Sequence, residues 1–198
     1  MKTGGKTQIG ELENNKKVAE IPEDGELYNS TDPALYEKQW KMNDLMYEFN
    51  HTRPSDRKRL KEILKELLGS IGEDCVIEPP LRVNWGCNCY LGRNVYANFN
   101  LTIVDDADVI IGDDVMIGPN VTIATAEHPL DADLRRQGMQ YNRAVRIGNG
   151  VWLGAGVIVL PGVTIGDNTT IGAGSVVTKD IPANAVAYGV PCRVQKML

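Results

Sequence analysis

Residues Ile147–Val177 read IGNGVWLGAGVIVLPGVTIGDNTTIGAGSVV, and an aliphatic residue recurs at every sixth position: Ile147, Leu153, Val159, Ile165, Ile171 and Val177. Glycine follows four of them, at Gly148, Gly154, Gly166 and Gly172, and the residues two places before them are mostly β-branched. Hairpin strands return with turn signals every ~8–12 residues, so a period of six is too short for a sandwich. It fits one short strand and one turn per hexad, with the aliphatic residue inward and Gly, Asn or Asp at the corner. Three hexads close a triangular coil, and stacked coils bury a continuous aliphatic column. The reading is a mainly β protein, a parallel β-helix. Its aromatic content of 6% suits an interior too narrow for large rings.

The period extends upstream through Ile111, Ile117 and Ile123, while Leu91, Ala97 and Ile103 form an earlier run two residues out of phase. The hexads break off between Ala124 and Ala144, in ATAEHPLDADLRRQGMQYNRA, which holds His128, Pro129 and three arginines. A long loop projecting from a regular solenoid is usually functional.

The N-terminal third follows other rules. Residues 1–21 are polar and aperiodic and read as a flexible extension. Residues 22–70 carry a helical pattern. Asp32 before Pro33 is a helix start, after which Leu35, Trp40, Leu45, Met46 and Phe49 are expected to share a buried face. Ser55 is a second start, Leu60, Ile63, Leu64 and Leu67 follow at helical spacing, and Gly69 is expected to close that helix. Glu62 and Glu66 are interleaved with Arg57, Lys58, Arg59, Lys61 and Lys65, the pattern of a solvated helix face. Residues 71–198 form the β-helix.

Composition narrows the function. A net charge of -5 argues against nucleic acid as a partner, because no surplus of cations replaces phosphate counterions. No apolar run approaches the ~18 residues of a membrane span, and the first 20 residues show no secretory pattern, so a cytoplasmic protein is expected. Cys87 and Cys89 form C-x-C, which reads as apolar filling of strands and not as a zinc site. No metal is required.

The chain resembles the hexapeptide-repeat acyltransferases, and within them the sugar O-acetyltransferases that modify galactosides, maltose and nodulation factors. The resemblance runs from about Gly25 to the C-terminus, through GELYNS at Gly25, YEFNHTRPS at Tyr47, IEPP at Ile77, YANFNLTIVDD at Tyr96, HP at His128 and VVTKDIP at Val176. It implies a left-handed coil, a homotrimer, acetyl-CoA as donor, and active sites in clefts between subunits.

Acetyl transfer from a thioester to a hydroxyl needs a base, and an imidazole of ordinary pKa, about 6.5, is suited to it. His128 is that candidate, and His51, in the helical segment, reads as structural. By the resemblance Asn98 sits at the acetyl group, and Ser30, Asn84, Tyr96 and Asp106 contact the acceptor. Trp152, Ala155 and Ala173 would line the pantetheine, with the Ala155 N–H as an oxyanion donor. Thr178, Lys179, Arg193 and Lys196 would hold the nucleotide phosphates. Without the resemblance, Asn98 and Asp106 read equally as corner residues of turns.

Two other classes compete. A xenobiotic acetyltransferase, acting on chloramphenicol or streptogramins, would share the donor site and the histidine. A non-catalytic solenoid would need neither. A zinc-dependent carbonic anhydrase needs three histidine ligands, and the chain contains two histidines.

Overall fold

Each hexad of the quoted stretch forms one strand of two or three residues and a turn, in the computed structural model, which describes residues 25–198. Strands one coil apart pair in parallel, with Ile147 beside Ile165, Leu153 beside Ile171 and Val159 beside Val177. The inward aliphatic residues are thereby stacked and buried in one continuous core. The result is a parallel β-helix with three sheets. The first contains Leu81–Val83, Leu101–Val104, Thr122–Ala124, Ile158–Val159 and Val176–Val177. The second contains Ser70–Ile71, Cys89–Leu91, Val109–Ile111, Val145–Ile147 and Thr164–Ile165. The third runs from Val76–Ile77 through Tyr96–Ala97, Met116–Ile117, Trp152–Leu153 and Thr170–Ile171 to a terminal hairpin, Ala185–Tyr188 with Arg193–Met197. The extension expected over residues 1–21 lies outside the described residues.

The phase shift in the sequence has a single geometric origin. From the second sheet to the third, and from the third to the first, the inward residues stay six apart, as in Leu91 to Ala97 to Ile103. From the first sheet to the second they do so only once, from Val159 to Ile165. Val83 to Leu91 and Ile103 to Ile111 are eight residues, and Ile123 to Ile147 is twenty-four. Every departure from the hexad thus falls on one edge of the prism. That edge carries the site described below.

Helices α1 (Pro33–His51) and α2 (Arg57–Leu67) cover the N-terminal end of the column, where Phe49, Ile63 and Leu67 join the solenoid core. The Asn50 side chain serves the first strand of the first sheet, donating to the Leu81 carbonyl at 2.8 Å and accepting from its N–H at 2.7 Å. Three local expectations are corrected. Trp40 is 63% exposed and does not share the buried face of Leu35 and Phe49. Five positions after Leu35, it is turned some 140° round the helix from that residue. The cap of α2 is Asp56, whose carboxylate accepts from the Arg59 N–H, and not Ser55. Gly69 does not end α2 in a left-handed turn, since Leu68 leaves the helix in extended conformation. Gly69 is needed for close approach: a Cβ there would lie 2.4 Å from the Cys87 carbonyl oxygen. Cys87 and Cys89 are buried as apolar filling, as expected.

Candidate active site on the irregular edge

The interruption between Ala124 and Ala144 is an ordered structure built on strand pairing. Ala126–Glu127 pairs antiparallel with Met139–Asn142, and Tyr28–Asn29 of the leader pairs with the other edge of that strand. A short helix, α3 (Ala132–Arg136), capped by the Asp131 carboxylate, spans the tip. An Arg143–Glu127 ion pair and two bonds from Arg135 to the Pro129 and Leu130 carbonyls hold the base of the loop. His128 lies on the surface of this assembly, and its Nδ1 is 2.9 Å from the Met139 carbonyl oxygen. A carbonyl only accepts, so Nδ1 carries the proton and the lone pair is on Nε2.

The same central strand reaches Asp106. Asn142 donates from Nδ2 to the Asp106 carbonyl at 3.2 Å and to the Tyr28 hydroxyl at 3.1 Å, and Gln140 donates to that hydroxyl at 2.8 Å. Burial pushes the Tyr28 phenol above its usual range, so it stays neutral. Asp106 itself is 6% exposed, and its two carboxylate oxygens are held separately. Asn84 Nδ2 donates to Oδ2 at 2.9 Å, and the Trp85 indole N–H to Oδ1 at 3.3 Å. Trp85 packs with Leu35 and Cys87 in a small apolar cluster, and Gln39 of α1 donates to Asn84 Oδ1 at 2.5 Å. Ser30 donates to the Gly138 carbonyl at 3.0 Å, one residue before Met139. Of the residues singled out in the sequence, Ser30, Asn84, Asp106 and His128 are therefore brought to one edge of one chain.

The remainder lie elsewhere. Tyr96 and Trp152 stand on the outer face of the third sheet, opposite that edge, in register with Met116 between them. Asn98, Ala155 and Ala173 occupy corners between the third sheet and the first. Thr178 and Lys179 lie on the irregular edge further along, after Val176–Val177. Arg193 and Lys196 belong to the terminal hairpin, opposite Tyr188 and Val186. One chain thus presents two partial sets of residues on different faces.

Residues 24–72 match the family described as maltose acetyltransferase hexapeptide capping motif, and 144–179 match the bacterial transferase hexapeptide (six repeats). The chain is 50% identical over 180 residues to galactoside O-acetyltransferase of Escherichia coli strain K12, covering 91% of this chain and 89% of that one. It belongs to the sugar O-acetyltransferase branch of the hexapeptide-repeat acyltransferases. Nodulation protein L of Rhizobium meliloti, at 44% identity over 86% of this chain and 93% of that one, is a further relative. Among solved structures, a galactoside acetyltransferase in complex with coenzyme A superposes with a TM-score of 0.85 at 51% identity, covering 87% and 86% of the two chains. A maltose O-acetyltransferase from Clostridium difficile 630 superposes with 0.86 at 45%, covering 88% and 93%.

In this member of the family, three side chains around Asp106 escaped the sequence reading: Tyr28, Trp85 and Asn142. Tyr28 lies inside the GELYNS stretch. Trp85 and Asn142 sit in segments without hexad period, and that irregularity was the signal available for them. Asp105, beside Asp106, escaped too. It is fully buried, and burial pushes its carboxyl up to about 7.

Proposed function

We propose that this chain transfers an acetyl group from acetyl-CoA to a hydroxyl of a sugar, of galactoside, glucoside or maltose type, with His128 as general base. The observation that carries the reading is the tautomer: the Met139 carbonyl holds the proton on Nδ1 and leaves Nε2 free to accept. Nε2 takes the proton of the acceptor hydroxyl as its oxygen attacks the thioester carbonyl carbon. The tetrahedral oxyanion is stabilised by Asn98 and by the Ala155 N–H. Collapse breaks the carbon–sulfur bond, and the imidazolium returns its proton to the leaving thiolate, giving the acetyl ester and CoA thiol. Asp106, with Ser30, Asn84 and Tyr96, holds the sugar.

The donor lies along Trp152, Ala155 and Ala173, with its phosphates on Thr178, Lys179, Arg193 and Lys196. Support comes from the relatives: one solved galactoside acetyltransferase is in complex with coenzyme A. The two partial sets on one chain complete each other if the active sites lie between subunits of a homotrimer. Tyr96, Met116 and Trp152, in register and 39%, 56% and 53% exposed, form an apolar face suited to burial in such an assembly.

The test is thiol release from acetyl-CoA with galactosides, glucosides, maltose and chloramphenicol as acceptors. Sugars are expected to be turned over, and His128→Ala to lower kcat by roughly 10²–10⁴-fold with CoA affinity changed only a few-fold. Chloramphenicol turnover above that of every sugar would favour a xenobiotic acetyltransferase.

A further inference from the structure

Asp105 is fully buried and cannot touch a substrate, yet it is wired to the residues that hold one. Its Oδ1 accepts the main-chain N–H groups of Asn84 at 2.9 Å and Trp85 at 2.8 Å. Its Oδ2 accepts from the Asn88 N–H at 3.4 Å, and Asn88 Nδ2 donates back to the Asp105 carbonyl at 2.7 Å. These bonds join the turn 84–88 of one coil to the end of the next coil's strand, Leu101–Val104. The turn belongs to the edge with two residues more than a hexad, and Gly86 within it has φ +74°. The Asn84 N–H also reaches its ladder acceptor, the Ile103 carbonyl at 3.1 Å, whereas the Trp85 and Asn88 N–H groups, inside the turn, are met by the Asp105 carboxylate. A carboxylate, with two oxygens that accept and none that donate, can take the two N–H groups of the turn and share the third with the ladder.

The turn delivers the side chains of Asn84 and Trp85, the two donors that grip Asp106. Burying a carboxylate is costly, and a neutral side chain of the same size would avoid that cost. We infer that Asp105 is a positioning residue for the acceptor pocket: it pins the turn 84–88 so that Asn84 and Trp85 hold Asp106 in the orientation that receives the acceptor's hydroxyls. The inference rests on the acetyl-transfer reading, in which Asp106 binds the acceptor.

A double-mutant cycle on the acceptor KM tests it, using Asp105→Asn, Asp106→Asn and the pair, with thiol release from acetyl-CoA as the readout. Asp105→Asn is expected to raise the acceptor KM roughly tenfold, with the acetyl-CoA KM and kcat at saturating acceptor within about twofold of wild type. In the Asp106→Asn background the same change should add less than about twofold, because it acts through a residue already removed. Asp105→Ser, which has a single side-chain oxygen, should repeat the pattern with a larger effect.

An unchanged acceptor KM in Asp105→Asn, while the wild type acetylates sugars normally, overturns the inference and leaves the functional reading intact. Equal losses with and without the Asp106 carboxylate overturn it as well. So does loss of CoA binding in both Asp105 variants, which would make the residue purely structural. A wild type that turns over no sugar removes the functional reading and the inference together.

Discussion

The carboxylates at 105 and 106 are chain neighbours with opposite fates. Both are buried, but Asp106 takes side-chain donors and Asp105 takes main-chain donors. Burial raises Asp105 to about 7, from an unfolded value of about 3.9. A group whose folded pKa is raised contributes stability that is complete below the unfolded pKa and is lost as pH rises through the folded one. Asp105→Asn has no such loss. Its stability relative to wild type should therefore rise by about 2–3 kcal/mol between pH 5 and pH 8, on the scale of 1.36 kcal/mol per unit. Denaturant unfolding at the two pH values measures this, and a pH-independent difference would show that the carboxyl titrates normally. Asp106→Ala is a complementary case. Removing a carboxylate that holds sugar hydroxyls leaves them unpaired, at a cost of about 1–3 kcal/mol, or roughly 5–150-fold in acceptor KM. The donor KM should stay nearly constant in steady-state kinetics.

At the scale of elements, the contact between α2 and the first coil is set by the absence of side chains. Gly69 follows Leu68, the C-cap of α2, and a Cβ there would meet the carbonyl oxygens of Cys87 and Cys89 and the Tyr90 ring at 2.4, 3.1 and 2.9 Å. Two of the three are backbone atoms, and they cannot move without shifting the turn 84–88 or the strand Cys89–Leu91 that follows it. Gly69→Ala is expected to destabilise by about 1–3 kcal/mol and to lower Tm. Because that turn carries Asn84 and Trp85, the acceptor KM should rise as well. Gly156→Ala is the control, since nothing lies within 4 Å of its Cβ position and only its φ of +67° is strained. A Gly69→Ala protein no less stable than Gly156→Ala would refute the account. The strand Met139–Asn142 shows the same dependence of site on element. Its Met139 carbonyl sets the tautomer of His128, and its Asn142 holds the Asp106 main chain.

At the scale of the whole molecule, the prism separates what the chemistry must bring together. His128 and Asp106 are on one edge, and Asn98, Ala155 and Trp152 lie on the opposite face or its far corner. In the proposed homotrimer each site takes its base from one subunit and Asn98, Trp152 and Ala155 from the next. Subunits carrying His128→Ala, mixed and reassembled with subunits carrying Trp152→Ala, should then recover part of the wild-type activity through hybrid sites. Sedimentation should give a trimer. A fully active monomer, or mixtures no more active than their parents, would refute shared sites.

The hexad period and the place where it breaks were legible in the sequence, because a solenoid is built from local repeats, each strand pairing with the equivalent strand of the next coil. The column residues and the projecting loop could be read from that spacing, and the helical leader from its own period and caps. So could the candidacy of His128 as the histidine of that loop. What the loop touches could not. The pairing of Tyr28–Asn29 with Met139–Gln140 joins segments more than a hundred residues apart, and no period records it. The role of Gly69 was hidden for a related reason, since it depends on the backbone that packs against it, whereas Trp40 leaves the buried face by helix geometry alone. The roles of Asp105 and Trp85 were decided only when the extra residues of successive coils were stacked on one edge, where the N–H groups of a turn and a buried carboxylate could meet.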